Sequence, residues 1–509
     1  MALALAMALA LYGCATSLPT EKPPPGYAAA PREDGRFAAV ERQLTALHGA
    51  DASGFQLLER NADGLKWRLV LIDNASHSID LQYYVWFGDA TGQLLLARVI
   101  AAADRGVKVR ILFDDLSTML RRMSSPELRD AMLARIDRHP QIEIRVFNGW
   151  HERGWAGRAA EGAKEFERLN RRMHNKQMVV DNRAAIIGGR NVGDEYAGLN
   201  PEFNFHDLDV LGIGAVARQA SGVFDRYWNS DWVRRIPLYT GPESGTLTPG
   251  MIELPPEAAA HPVMKMLVAG EHSWAGDIER LASSLSIGRS AVHSDSPSRA
   301  ATSRNHMPEA FRALMRAARR EVLITNAYII PDEHFIGDLR ELGGRGVKVR
   351  ILTNSLSSHD VPAVNAHYEK WRAPILDTGA DLHELRADAA IQAELVDTPP
   401  VRSGFVGLHT KAMVIDRERC FIGSMNLDPR SEIINSEMGV IIDSAPLCGD
   451  LAMRMERDMG GANSWQVSRH TDGNVSWTSD AGVLTSQPAR SLWQRIENLV
   501  FKLFPASYY

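Results

Sequence analysis

The sequence predicts an α/β fold, in which a sandwich domain is duplicated in tandem and a shared site lies at the pseudo-two-fold interface. Three observations predict it. The octapeptide Arg105-Gly106-Val107-Lys108-Val109-Arg110-Ile111-Leu112 recurs unchanged at 345–352, 240 positions later. Around each copy the apolar periodicity runs helix, strand, helix, strand, which is the order of an α/β unit met twice. A second pattern, His-x-Lys-x4-Asp-x6-Gly-(Gly/Ser)-x-Asn, starts at His174 and again at His409, 235 positions apart. The two offsets nearly agree, so both patterns report one duplication.

Composition is consistent with this. A chain of 509 residues exceeds one ordinary core, so two halves are expected. With 57 basic and 62 acidic side chains the formal charge is -5, which gives no electrostatic reason to expect nucleic acid as a partner. Cys14, Cys420 and Cys448 are too few for a disulfide scaffold or a Cys-rich metal site.

Residues 1–14 are apolar up to Leu11 and end Leu11-Tyr12-Gly13-Cys14, a pattern similar to a bacterial lipoprotein box with Cys14 as the lipidated residue. The stretch is too short to cross a bilayer as a helix. Residues 15–40 contain Pro23-Pro24-Pro25 and Pro31 and are expected to form an extended tether. The first half spans 41–245, with a helix near 65–75, a strand at 79–86 and a helix at 92–104 that Gly106 ends. Residues 246–300 are expected to be a connection, because 237–256 carries five prolines and three glycines. The second half, 301–509, repeats the order with a helix at 309–319, a strand at 322–330 and a helix at 332–342 before Gly346. Two features could touch lipid. One is the loop Asn148-Gly149-Trp150-His151-Glu152-Arg153-Gly154-Trp155, for which a buried and an interfacial role are equally open. The other is a C-terminal helix with Leu492, Trp493, Ile496, Leu499, Val500 and Leu503 on one face, for which packing against the domain is expected.

The chemistry sits in the second pattern. His174 and Lys176 are two apart on a strand-like run and project from one face; His409 and Lys411 repeat this. Asp181 and Asp416 begin a turn, Gly189 or Ser424 follows the returning strand, and Asn191 or Asn426 comes back beside the His and Lys. Imidazole, ammonium and amide at one spot suit a phosphodiester. Lys and Asn hold the non-bridging oxygens, and His attacks phosphorus or protonates a leaving oxygen. One half has one such His, so acid and nucleophile require both halves, and neither a metal nor a cofactor is expected.

These motifs resemble the paired HKD signatures of the phospholipase D superfamily. The fold then implied is a tandem phospholipase D-type α/β sandwich, and the resemblance covers nearly all of the chain beyond the tether. It implies catalytic roles for His174, Lys176, Asp181, His409, Lys411 and Asp416, with phosphate binding by Asn191, Asn426, Gly189 and Ser424. His174 would be the nucleophile and His409 the acid and base. Each histidine would be oriented by a carboxylate of its own half, Asp207 for the first and Glu437 for the second. Asp181 and Asp416, at a turn, also suit a structural role. Arg172-Met173-His174-Asn175-Lys176, the run from Gly188 to Tyr196 and the run from Gly423 to Ser431 are similar to bacterial cardiolipin synthases of the C type. That implies transfer of a phosphatidyl group from phosphatidylethanolamine or phosphatidylglycerol to phosphatidylglycerol. It also implies a monomer with an internal pseudo-dimer, anchored in a bacterial cell envelope and facing the periplasm. A hydrolase would use the same residues, a nuclease of the superfamily is disfavoured by the acidic balance, and a non-catalytic lipid binder would be expected to have lost a signature residue.

Overall fold

The computed structural model describes residues 21–115, 126–152, 155–236, 248, 261–268, 274–297 and 305–504. The signal segment with Cys14 lies outside them. The first half contributes β1 (Ser53–Leu58), β2 (Ser78–Tyr83), β3 (Lys108–Asp114), β4 (Ile142–Phe147), β5 (Gln177–Val180), β6 (Ala184–Gly188), β7 (Asn204–His206), β8 (Asp209–Gly214) and β9 (Val233–Arg235). All but β7 form one sheet in the order β9-β4-β3-β2-β5-β6-β8-β1.

The second half contributes β10 (Ser286–Ser294), β11 (Glu321–Asn326), β12 (Lys348–Asn354), β13 (Asp381–Leu385), β14 (Val406–Leu408), β15 (Lys411–Ile415), β16 (Arg419–Gly423), β17 (Met438–Asp443) and β18 (Ser464–Arg469). Its order, β18-β13-β12-β11-β15-β16-β17-β10, matches the first strand for strand. A hairpin of β19 (Val475–Ser479) and β20 (Gly482–Leu484) extends it.

The repeated octapeptide builds the centre of each sheet. β3 pairs parallel with β2 and β12 with β11, so each pair needs a crossover helix, Ala90–Asp104 or Glu333–Gly344. Asp89 caps the first by accepting from the Gly92 N–H, and Asp332 caps the second by accepting from Phe335. Gly106 and Gly346 follow these helices at φ 93° and 76°, a backbone region that side chains resist. The central strands are nearly continuous buried apolar runs, and the helices cover them.

Several expectations change. Residues 246–300 are not merely a connection, because β10 lies within them and joins the sheets. Its start pairs with β1 (Gly288 opposite Ser53) and its remainder with β17 (Arg289 opposite Asp443). Each half would otherwise end on a bare strand edge, and one strand covers both. Residues 22–34 are no free tether either. Gly26 N–H donates to Asn229 (2.8 Å), Ala28 N–H to Asp225 (2.9 Å), and Arg145 and Arg183 donate to the carbonyls of Pro24 (2.8 Å) and Arg32 (2.9 Å). Extended, Pro-rich backbone leaves its carbonyls free for such arginines. The expected tether also contains the start of a helix, Arg36–His48, which buries Phe37, Val40 and Leu44.

Trp150, in the first part of the loop 148–155, is buried; residues 153–154 and the Trp155 side chain lie outside the described residues. The C-terminal helix, Leu492–Phe501, does pack on the domain, but by the face opposite to the expected one: Gln494 and Asn498 are its buried residues. Cys420 on β16 is disulfide-bonded to Cys448 on the helix Ala445–Asp458, a staple rather than a scaffold. Among the described residues, no helix is long and apolar enough to cross a membrane.

Candidate active site

Each motif folds as a tight hairpin, β5–β6 or β15–β16. The turn residues Asp181 and Asn182 lie at φ 54°, and Asp416 and Arg417 at 54° and 59°, the backbone that a two-residue hairpin turn requires. The Asp181 carboxylate accepts from the N–H groups of Ser76 (3.0 Å), His77 (2.7 Å) and Ser78 (2.9 Å). Asp416 does the same for Arg319 (3.0 Å), Arg320 (2.7 Å) and Glu321 (2.9 Å). These two signature aspartates are therefore clasps that hold the hairpin to the start of β2 or β11, and the structure gives them no catalytic contact. Asp181→Ala leaves three N–H groups without an acceptor and should lower stability by about 2–4 kcal/mol. Chemical denaturation checks this, with turnover per folded molecule expected to stay near normal.

At the other end of each hairpin the halves interlock. The His174 N–H donates to the Ser436 carbonyl (2.8 Å) and the His409 N–H to the His206 carbonyl (2.9 Å). β7 and β14 pair in parallel across the interface, His206 opposite Leu408, and Met173 bridges Ser436. This register crosses the orienting carboxylates. His174 Nδ1 lies 2.8 Å from Glu437 Oε2, and His409 Nδ1 lies 2.5 Å from Asp207 Oδ2. The expectation that each histidine takes its carboxylate from its own half is thus wrong. Each strand that carries a carboxylate is zipped to the opposite motif, so the pairing is exchanged. With Nδ1 bonded to a carboxylate, Nε2 is the ring nitrogen left for chemistry.

Gly189 and Ser424 are also placed differently from expectation. A side chain at Gly189 would run into the Asp207 carboxylate, while Ser424 Oγ donates to Glu437 Oε2 (2.5 Å). Both positions serve the orienting carboxylates, one by leaving room and one by a hydrogen bond, and the structure gives neither side chain a phosphate role. Lys176 Nζ donates to the His174 carbonyl (2.6 Å) and Lys411 Nζ to the His409 carbonyl, which leaves further N–H bonds on each ammonium. Asn191 is held by the Val85 N–H (3.2 Å) and the Tyr196 hydroxyl (2.9 Å). Asn426 Oδ1 is buried without a protein partner, while Asn175, on the opposite face from His174 and Lys176, lies by Tyr227.

The site is buried and holds two lysines. Burial, then Lys176, Lys411 and Arg430, hold the His174 pKa well below its ordinary value. Burial and Lys411 bring His409 down to about 4 against the opposing pull of Asp207. Lys176 is also lowered by burial, and Lys411 falls to about 8 for the same reason. Each histidine feels the lysine of the other motif, so the two pairs share one electrostatic pocket. The carboxylates differ. Burial pushes Glu437 up to about 7, whereas His409, Lys411 and Arg190 outweigh burial and keep Asp207 low.

Sequence reasoning missed the aromatic walls. Tyr84 lies edge-on to His174 (4.8 Å) with the Lys176 ammonium 5.0 Å from its ring centre; Tyr328 stands likewise to His409 (6.5 Å) and Lys411 (5.7 Å). Tyr196 and Phe205 also border His409, at 5.3 and 4.9 Å. The available signal was an aromatic residue just past the end of each duplicated strand, β2 and β11.

Neutral imidazoles beside buried ammonium groups equip a protein to hold and attack a phosphodiester, and their duplication in this sandwich marks an enzyme of the phospholipase D class. A family profile described as "Cardiolipin synthase, PLD-like domain" matches residues 69–228 and 311–459. The chain belongs to that family. It is 32% identical to cardiolipin synthase C of Escherichia coli over 487 residues, covering 93% of this chain and 99% of that protein. It is 26% identical to the major cardiolipin synthase ClsA of Bacillus subtilis over 392 residues, 76% of this chain and 65% of the relative. Among solved structures, phosphatidylserine synthase of Haemophilus influenzae Rd KW20 shares the fold (TM-score 0.57, 13% identity), covering 85% of this chain and 93% of that one.

Proposed function

We propose that this enzyme makes cardiolipin, transferring a phosphatidyl group from phosphatidylethanolamine or phosphatidylglycerol to a hydroxyl of phosphatidylglycerol. The observation that carries it is the pair of buried His-Lys sets whose histidines are each held at Nδ1 by a carboxylate of the opposite half. Lys176 and Lys411 take the non-bridging oxygens, with the amides of Asn191 and Asn426 beside them. His174 Nε2 attacks phosphorus, and the bond to the departing alcohol breaks as His409 Nε2 gives that oxygen its proton. His409 then takes the proton of the incoming hydroxyl, which attacks the phosphohistidine and frees His174.

The electrostatics favour this order. Arg430 and two lysines suit a neutral, nucleophilic His174, while an ionised Asp207 favours a proton on His409. A bound phosphodiester anion offsets the lysine charges and raises both imidazole pKa values back toward their ordinary range, where a proton can be held and given. The identity with cardiolipin synthase C over nearly the whole of both chains supports the choice of lipid. The Cys420–Cys448 bond supports a periplasmic address, since disulfides persist in oxidising compartments. Anchoring at Cys14 and a monomer with an internal pseudo-dimer belong to the same proposal.

The test is purified protein with phosphatidylglycerol, with and without phosphatidylethanolamine, and products read by mass spectrometry. Cardiolipin is the expected product; phosphatidic acid alone would make the chain a hydrolase, and DNA cleavage with lipid untouched a nuclease. Excess chelator should leave the rate within about twofold, because lysines and amides take the role a metal would have. A loss reversed by added divalent ion would contradict that.

A further inference from the structure

The C-terminal helix packs the wrong way round for a soluble protein. An ordinary surface helix buries its apolar stripe and turns its polar face to water. Here Gln494 and Asn498 are 4% and 3% exposed, while Leu492, Trp493 and Leu503 are 74%, 65% and 83% exposed. The buried polar face is well satisfied. Gln494 Nε2 donates to the Leu356 carbonyl (2.5 Å) and Asn498 accepts from Asn365 (2.7 Å); beyond the helix, exposed Lys502 pairs with Glu369 (2.9 Å). At about 100° per residue, Leu492, Trp493, Ile496, Leu499 and Val500 span an arc of roughly 120°, and exposed Leu503 and Phe504 follow in the turn after the helix. Those seven are nearly half of the exposed large hydrophobic side chains among the described residues. Patches of this kind mark a docking surface.

We propose that this face is a membrane-docking surface that enters the headgroup region of a phospholipid bilayer beside the active-site mouth. This rests on the reading that the site takes membrane phospholipid. Three observations commit the face to lipid. The helix Leu492–Phe501 is only about 15 Å long, so it can lie in an interface but not span one. Trp493 is a side chain of the lipid-water boundary, and Arg495 lies at one edge of the arc, where an anionic phosphate would meet it. Finally, the helix is tied to the catalytic wall. Arg490, just before it, lies 3.5 Å over the Phe405 ring and donates to the carbonyls of Ser357 and His359. His359 stacks on Tyr328 (5.2 Å), whose ring stands edge-on to His409. Two intervening residues, His359 and Tyr328, therefore link Arg490 at the base of the helix to the proposed acid. Docking this face would present the pocket to headgroups, and lipid would not have to leave the bilayer fully.

The experiment uses the full chain with phosphatidylglycerol vesicles that carry brominated acyl chains. Trp493 emission is taken as the difference between the wild type and Trp493→Phe. Quenching of that difference is expected. A Leu499→Asp/Leu503→Asp variant should abolish the quenching and cut turnover on vesicles at least tenfold, with short-chain phosphatidylglycerol below its micelle concentration turned over as before. Unquenched Trp493 emission would overturn the inference. So would emission already shielded without lipid, by a second copy (concentration-dependent) or by residues 1–20 (relieved on their removal). If quenching occurs but neither lipid form is turned over, docking stands and the proposed function falls.

Discussion

Replacing either motif histidine by alanine should abolish turnover while leaving the fold intact: His174→Ala and His409→Ala are each expected to lose about 10⁴-fold or more in kcat. Both rings are buried, and each has one carboxylate and two ammonium groups fixed around it. The two losses should differ in kind. His174→Ala forms no phosphohistidine. His409→Ala still forms some adduct with a donor whose leaving group needs no proton, such as a p-nitrophenyl phosphodiester. Because a phosphohistidine is lost in acid and survives in alkali, an alkaline quench followed by mass spectrometry separates them. Near-normal turnover in either variant would end the two-histidine mechanism, and adduct on His409 with none on His174 would reverse the order.

The second large effect concerns the crossed carboxylates. Asp207→Asn and Glu437→Gln are each expected to cost about 10²–10⁴-fold in kcat with little change in KM, because an amide no longer fixes the tautomer or steadies the imidazolium. The crossing itself has a signature. Asp207→Asn should remove the low-field Nδ1 proton resonance of His409 and spare that of His174, and Glu437→Gln should do the opposite. Loss of each resonance from the histidine of the same half would refute the exchanged pairing. Retained melting transitions, with partial rescue by Asp207→Glu, would separate positioning from a merely structural contribution. Ser424→Ala, which removes one donor to Glu437, should have a smaller effect of the same kind.

How far the sequence reached differs from feature to feature. The octapeptide placed β3 and β12, because apolar runs flanked by Gly106 and Gly346 have few other conformations open to them. The spacing within His-x-Lys-x4-Asp placed both hairpins, since a two-residue turn at Asp181-Asn182 fixes the register of the strands on either side. The same local chemistry explains why Asp181 and Asp416 belong to the motif without joining the chemistry: only the structure shows the three N–H groups each one holds. Gly189 and Ser424 were assigned to phosphate because flexible, small residues near a Lys suggest an anion. The neighbour that actually claims their space is a carboxylate 18 or 13 positions further on. Trp150 and the C-terminal helix mark a related limit, since periodicity identifies an amphipathic face without saying which face meets the protein.

By itself, then, the sequence determined the duplication, the α/β class and the identity of the histidines and lysines, because each depends on residues close together in the chain. Only the tertiary structure decided that β10 joins the sheets, that Glu437 serves His174 and Asp207 serves His409, and that polar rather than apolar residues anchor the C-terminal helix. Those outcomes depend on how one sheet edge or surface meets another, and no local period or spacing encodes a contact between strands more than 200 residues apart.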